Sequence, residues 1–239
     1  DNQFVNKDLD FTKAHHFMLS YALKISDNVN LKIEPYYQYL YDVPVEADGS
    51  YSVLNRSDFF VDKALVNKGK GRNYGVDITL ERYLNRGWYY MFTGSFFNSR
   101  YCGGDGVWHN TRYNRKYILN TLGGKEWMIG SRKQNVLSAN IKLTLQGGDR
   151  YSPTDLDATL AHPDNEVQYD ESRAYSKQFD PMFIASYTIG YKINKKKISH
   201  EFAIKFINAT NTKSFHGHMY NYHTNEIEVY RGTLAIPNI

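Results

Sequence analysis

The sequence predicts an all-β chain, an antiparallel up-and-down sheet of long strands like those that line a transmembrane β-barrel. Three observations carry this. Apolar and polar residues alternate with period 2 through one segment after another, the mark of a strand with one apolar and one polar face. The segments run to about 11 residues, against ~5–6 in ordinary sheets. The connections between them alternate strictly between short and long, as in outer-membrane barrels with short periplasmic turns and long extracellular loops.

The first segment spans Ala14–Ile25, with Phe17, Leu19, Tyr21, Leu23 and Ile25 on one face. The second, Val29–Tyr41, sets Val29, Leu31, Ile33 and Tyr37 against Asn30, Lys32, Glu34 and Gln38. Tyr74, Val76, Ile78 and Leu80 follow, then Trp88, Tyr90, Phe92 and Phe96. Lys116–Trp127 is less regular, because Ile118 and Leu122 fall on the polar face. Leu137–Leu145, Phe183–Ile193 and Ile198–Phe206 complete eight clear strands, and a ninth starts near Leu234. Eleven extended residues reach ~36 Å. Tilted by ~45° they cover the ~25 Å apolar band of a membrane barrel.

The short connections are Ser26–Asn28, Asn85–Gly87, Ile129–Gln134 and Asn194–Lys197. The long ones are Val43–Asn73, Tyr101–Arg115, Gly147–Pro181 and Ala209 to about Thr233. Tyr37, Tyr39 and Tyr41 close a strand before a long loop, and Trp88 and Tyr90 open one after a short turn. Both are places for amphipathic rings at a water–lipid boundary. That placement gives a reason for 21 tyrosines in 239 residues.

Composition removes several classes. Asp1–Leu9 is polar and does not read as a signal peptide, and no apolar run approaches the ~18 residues of a membrane helix. One cysteine, Cys102, excludes an internal disulfide framework and any zinc site built from several cysteines. Twenty-nine basic residues against 25 acidic ones leave +4, too balanced to argue for nucleic acid.

No constellation points to catalysis, so no enzyme, cofactor or metal is expected. Asp149, Asp155, Asp157, Asp164, Asp170 and Glu171 crowd one loop without EF-hand spacing and read as solvated. His216, His218 and His223 lack a third ligand with convincing spacing, and His15 and His16 read as interfacial. Gly69, Gly71 and Gly75 do not form a phosphate-binding fingerprint and read as loop flexibility before a strand. Cys102 has no base beside it and reads as a free loop thiol. Lys195–Lys197 suits either anionic headgroups or a solvated turn. Lys32, Glu34, Asp77, Glu81, Lys142, Glu201 and Lys205 lie on polar faces of long strands. Facing lipid, a charge costs up to ~2–4 kcal/mol near the midplane. These seven are therefore expected to face a wet lumen or a plug, or bulk water if the sheet is soluble.

Several stretches resemble one family. They are Tyr36-Tyr37-Gln38-Tyr39-Leu40-Tyr41-Asp42-Val43-Pro44-Val45, the run Leu65–Arg82 around Gly69-Lys70-Gly71-Arg72-Asn73-Tyr74-Gly75, Asp105-Gly106-Val107-Trp108 and Asn110-Thr111-Arg112-Tyr113-Asn114. Gly123-Gly124-Lys125-Glu126-Trp127 and Gly147-Gly148-Asp149-Arg150-Tyr151-Ser152-Pro153 continue the likeness. The whole is similar to the barrel of TonB-dependent outer-membrane receptors of the Bacteroidetes. The resemblance implies that residues 1–239 are the carboxy-terminal portion of a 22-stranded barrel, nine strands at positions 14 to 22. The plug and the amino-terminal strands are absent.

The ending Ile236-Pro237-Asn238-Ile239 lacks the usual terminal aromatic, so both ends look cut. The implied function is energised uptake of a scarce nutrient such as a siderophore, glycan or cofactor across the bacterial outer membrane. The implied partners are outer-membrane lipid, the rest of the barrel and plug, the TonB complex and a surface lipoprotein. Tyr51, Trp108, Tyr151 and Tyr169 are the candidate ring contacts for ligand in the loops. Two rivals stay open, a self-contained small outer-membrane barrel with a structural or adhesive role and a soluble carbohydrate-binding β-sandwich. The small barrel requires the first strand to pair with the last. The sandwich requires two sheets with apolar faces packed together.

Overall fold

Period-2 alternation becomes one long antiparallel meander in the computed structural model, which describes residues 5–56, 61, 63–233 and 236–238. Its strands are β1 (Lys13–Met18), β2 (Tyr21–Ser26), β3 (Val29–Glu46), β4 (Leu65–Asn85) and β5 (Trp88–Cys102), followed by the short β6 (Trp108–Asn110). Then come β7 (Tyr117–Ile129) and β8 (Asn135–Gln146). The next connection holds β9 (Arg150–Tyr151), β10 (Thr154–Asp155), α1 (Leu156–Ala161), β11 (Gln168–Tyr169) and β12 (Lys177–Gln178). The chain returns through β13 (Met182–Asn194) and β14 (Ser199–Ile207), makes the hairpin β15 (Ser214–Asn221) and β16 (Glu226–Gly232), and reaches β17 (Ile236–Asn238). The main sheet has eleven strands in the order β1-β3-β4-β5-β7-β8-β13-β14-β17, with β2 on β3 beside β1 and β6 on β5. No helix among the described residues is long and apolar enough to cross a membrane.

Three expectations change. The segment Ala14–Ile25 is two strands, both paired with β3. Leu19 N still donates to Pro35 O at 3.1 Å, but a proline has no N–H to return. The ladder therefore breaks opposite Pro35. The connection Val43–Asn73 is shorter than expected, because β3 runs to Glu46 and β4 starts at Leu65. Asp42, at φ +54°, marks a bulge that carries the strand onward. Gly69, Gly71 and Gly75 lie inside β4 rather than in a loop. A Cβ at Gly75 would run into Phe96 O and the Phe97 side chain, and at Gly71 into Leu40 and Leu54, so these glycines permit close approach. The ninth strand expected near Leu234 is present as β17 from Ile236, with Leu234 and Ala235 outside the described residues.

Directly opposed residues of an antiparallel pair share a face. Leu31 opposes Leu80 and Leu80 opposes Phe92. Ile141 opposes Tyr187, and Ile189 opposes Ile204. Followed across the sheet, Leu19, Leu31, Ile78, Phe92, Ile141, Ile189 and Ile204 all lie on one face. No second sheet covers it among the described residues: Leu19 is 70% exposed, Ile189 53% and Phe202 62%. Each such side chain left in water forgoes roughly 1.5–3 kcal/mol. The other face holds all seven charges named from the sequence, with Glu34 opposite Asp77 and Lys142 opposite Ser186. Lys32 pairs with Glu34 at 2.8 Å, and Ser95 Oγ donates to Asp77 at 2.5 Å. Ile118 and Leu122 also sit there, opposite Ser95 and Lys142.

The sheet does not close. β1 and β2 pair only with β3, and β17 with β14, so the pairing that a self-contained small barrel demands is absent among the described residues. The short turns all fall at one end. Between β4 and β5, Arg86 and Gly87 both take positive φ, the two-residue hairpin geometry that suits twisted strands. At that end Lys125 Nζ lies 4.1 Å from the Trp88 ring centre and 5.8 Å from that of Trp127. The long connections gather at the opposite end.

Candidate functional site

The fully buried side chains lie under the long loops, not along the middle of the sheet. Val43, Val45, Tyr101, Asn114 and Thr159 have no exposed surface. Polar hydrogen bonds knit three connections into one cap. Arg112 N donates to Asn55 Oδ1 at 2.8 Å and Arg150 N to Arg112 O at 2.9 Å. Ser50 Oγ donates to Glu171 Oε2 at 2.5 Å, and Tyr175 N to Ser152 Oγ at 3.2 Å. Buried Asn114 donates through Nδ2 to Asn98 Oδ1 and Asn110 Oδ1, both at 2.8 Å. Buried His109 meets Asp105 Oδ2 at 2.7 Å. Gly147 and Gly148 start the third connection against the backbones of Arg115 and Phe179, an approach that any Cβ would block.

Where this connection meets the hairpin β15–β16, rings assemble. Phe215 stacks on Phe179 at 4.2 Å between centroids, Phe179 on Tyr151 at 4.3 Å, and His218 lies 4.8 Å from Tyr151. Tyr169 closes the row, edge-on to His218 at 5.8 Å with its hydroxyl 3.4 Å from Nδ1. The rings border an open-sided cavity of about 300 Å³, whose polar lining includes Arg112, Asp149, Arg150 and Glu171. Its size and its few convergent polar groups on an apolar wall suit a small-molecule site.

The charges around it are unevenly matched. Asp149 is held by Arg115 in a two-point pair, 2.5 and 3.1 Å. Arg150 gives two of its five N–H donors to neutral acceptors, Asn114 O at 3.0 Å and Gln178 Oε1 at 3.3 Å. Neither Arg112 nor Arg150 forms an ion pair among the described residues. Burial holds Arg150 below its ordinary value and lowers His218, favouring neutral imidazole. Burial, with the Glu171 charge nearby, pushes Tyr175 up to about 12, and burial also raises Tyr169.

Of the four ring contacts expected from the sequence, Tyr151 and Tyr169 border the cavity. Trp108 lies elsewhere, under the Arg72 guanidinium at 4.7 Å and opposite Cys102 on the β5 extension. Tyr51 sits in the first cap connection with Lys63 Nζ 5.2 Å from its ring centre. Of the loop acids, Asp155 caps α1, while Asp170 caps a single helical turn and pairs with Arg173 at 2.6 Å. No group of three or more histidine, cysteine or acidic side chains among the described residues is arranged to hold a metal ion. Cys102 is half-buried, and burial raises its thiol. The sequence reading missed Phe179, Phe215, His218, Arg112 and Arg150 as cavity residues. Arg112 and Arg150 stand within the two quoted motifs Asn110–Asn114 and Gly147–Pro153, which was the signal available. No model of a known protein family matches the chain, and no curated protein matches it.

Proposed function

We propose that the chain forms part of the wall and entrance of a TonB-dependent receptor in the bacterial outer membrane, taking up a scarce nutrient by energised transport. The observation that carries this reading is the division of one long sheet into an exposed apolar face and a charged face, with every long connection at one end. In hydrocarbon the apolar face meets its preferred surroundings, and the charges face a wet lumen or a plug. The open edges at β1–β2 and β17 then pair with further strands of the same barrel, because unpaired N–H and C=O groups in lipid cost several kcal/mol each. The cap and its ring-lined cavity form the entrance on the outer side. Coupling to TonB, the plug and a surface lipoprotein belong to the proposal through the sequence resemblance.

The test uses single cysteines in a Cys102→Ser background of the full-length protein in its membrane. A nitroxide at Ile189→Cys should collide with oxygen dissolved in lipid and not with a water-soluble nickel chelate. At the adjacent Thr188→Cys the preference should reverse. Equal access of the nickel chelate to both positions would refute the membrane assignment.

A further inference from the structure

The cavity in the cap carries more than a ring-binding surface. Its rings offer flat apolar area along one side. Arg112 and Arg150 reach it without a carboxylate partner among the described residues, while Asp149 is already held by Arg115. The remaining acid on its border, Glu171, accepts from Ser50. Two guanidiniums against one carboxylate that forms no ion pair among the described residues leave net positive charge beside a half-buried aromatic wall. A planar guanidinium is suited to a two-point grip on a carboxylate.

We propose that this cavity binds a ring-bearing carboxylate, its acid group taken by Arg112 and Arg150 and its ring packed on Tyr151, Phe179 and His218. As a nutrient for uptake this ligand rests on the receptor reading above; as a binding site it does not. Aromatic acids and sugar acids share this chemistry, and the experiment separates them.

Binding is measured by calorimetry on the full-length purified protein with two matched pairs, salicylate against salicylamide and methyl galacturonide against methyl galactoside. In at least one pair the acid should bind tighter than its neutral partner by at least about tenfold, the scale of a charge-assisted hydrogen bond. Arg112→Gln, which keeps the backbone bonds of residue 112, should bring that ratio close to one. Glu171→Gln, which keeps an acceptor for Ser50, should strengthen the acid and leave the neutral partner unchanged, a gain that misfolding cannot produce. Acid and neutral partners that bind alike in both pairs, or that both fail to bind, overturn the proposal, as does an unaltered ratio in Arg112→Gln. Acid preference in a protein whose two sheet faces are equally wet keeps the site and removes the receptor. A lipid-facing Ile189 without acid preference does the reverse.

Discussion

The wall and the cap solve the problem of burial in opposite ways. β13 and β14 display Phe183, Ile189, Phe202 and Ile204 to the surroundings, whereas the cap hides Val43, Val45, Tyr101 and even Asn114 completely. An ordinary domain puts its apolar residues in one core. Here the main apolar surface is exposed, and close packing is confined to one end, where side chains such as Asn55 and Asn114 hydrogen-bond within the chain. The contrast teaches that the sheet leaves its apolar face without a covering layer among the described residues, while the cap carries its own interior.

Substitutions can break that contrast. The largest effect is expected for Val45→Asp, which sets an unpaired charge at a site with no exposure. The cap should lose more than ~3 kcal/mol. Limited proteolysis should cut the connections while the strands survive, and cleavage of wall and cap together would show that the two are not separable.

Next comes Ile189→Lys, in the middle of β13. In a bilayer it should cost ~2–4 kcal/mol near the midplane, and as an ordinary water-exposed surface change only about 0.5 kcal/mol. Urea unfolding in lipid vesicles reads the difference directly.

Asn114→Leu should cost roughly 1–3 kcal/mol by removing the buried amide that donates to Asn98 Oδ1 and Asn110 Oδ1. Its effect should appear in proteolysis of the cap and not in the unfolding of the wall; a uniform loss would contradict the division.

The smallest effect is a pH dependence at His218. Burial lowers its folded value, so the unfolded chain takes up the proton more readily. Its contribution is present above the ordinary histidine value of 6.5 and is lost as pH falls below it. Ring packing in the cap, followed by near-ultraviolet circular dichroism, should weaken on acidification, and His218→Phe should remove that loss. An unchanged acid response in the variant would assign the effect to another group.

The wall was largely legible in the sequence and the cap was not, for a physical reason. A strand's face is a local property: the spacing of Leu19, Ile78 and Ile189 declares it without knowledge of any partner. The interruption opposite Pro35 was visible in principle, since a proline inside an alternating run advertises a missing donor, but it affects the neighbouring strand rather than its own. The cavity depends on contacts between positions far apart in the chain. Phe179 meets Phe215 and Arg112 meets Asn55 only because the turns at the other end bring the connections together. Tyr151 and Tyr169, picked out only as rings in long loops, border the cavity. Trp108 shows the limit of that signal, since its strand pairing with Cys102 sends it elsewhere.

The break opposite Pro35 is one-sided. Leu19 N reaches Pro35 O at 3.1 Å, but the proline returns no N–H, so the Leu19 carbonyl lacks its ladder partner on β3. The edge of β1 and β2 turned away from β3 does not share this loss, and no strand lies against it among the described residues. A seam weakened on one side and an edge intact on the other leave the first strands held less firmly than their length suggests, yet still able to accept a further strand.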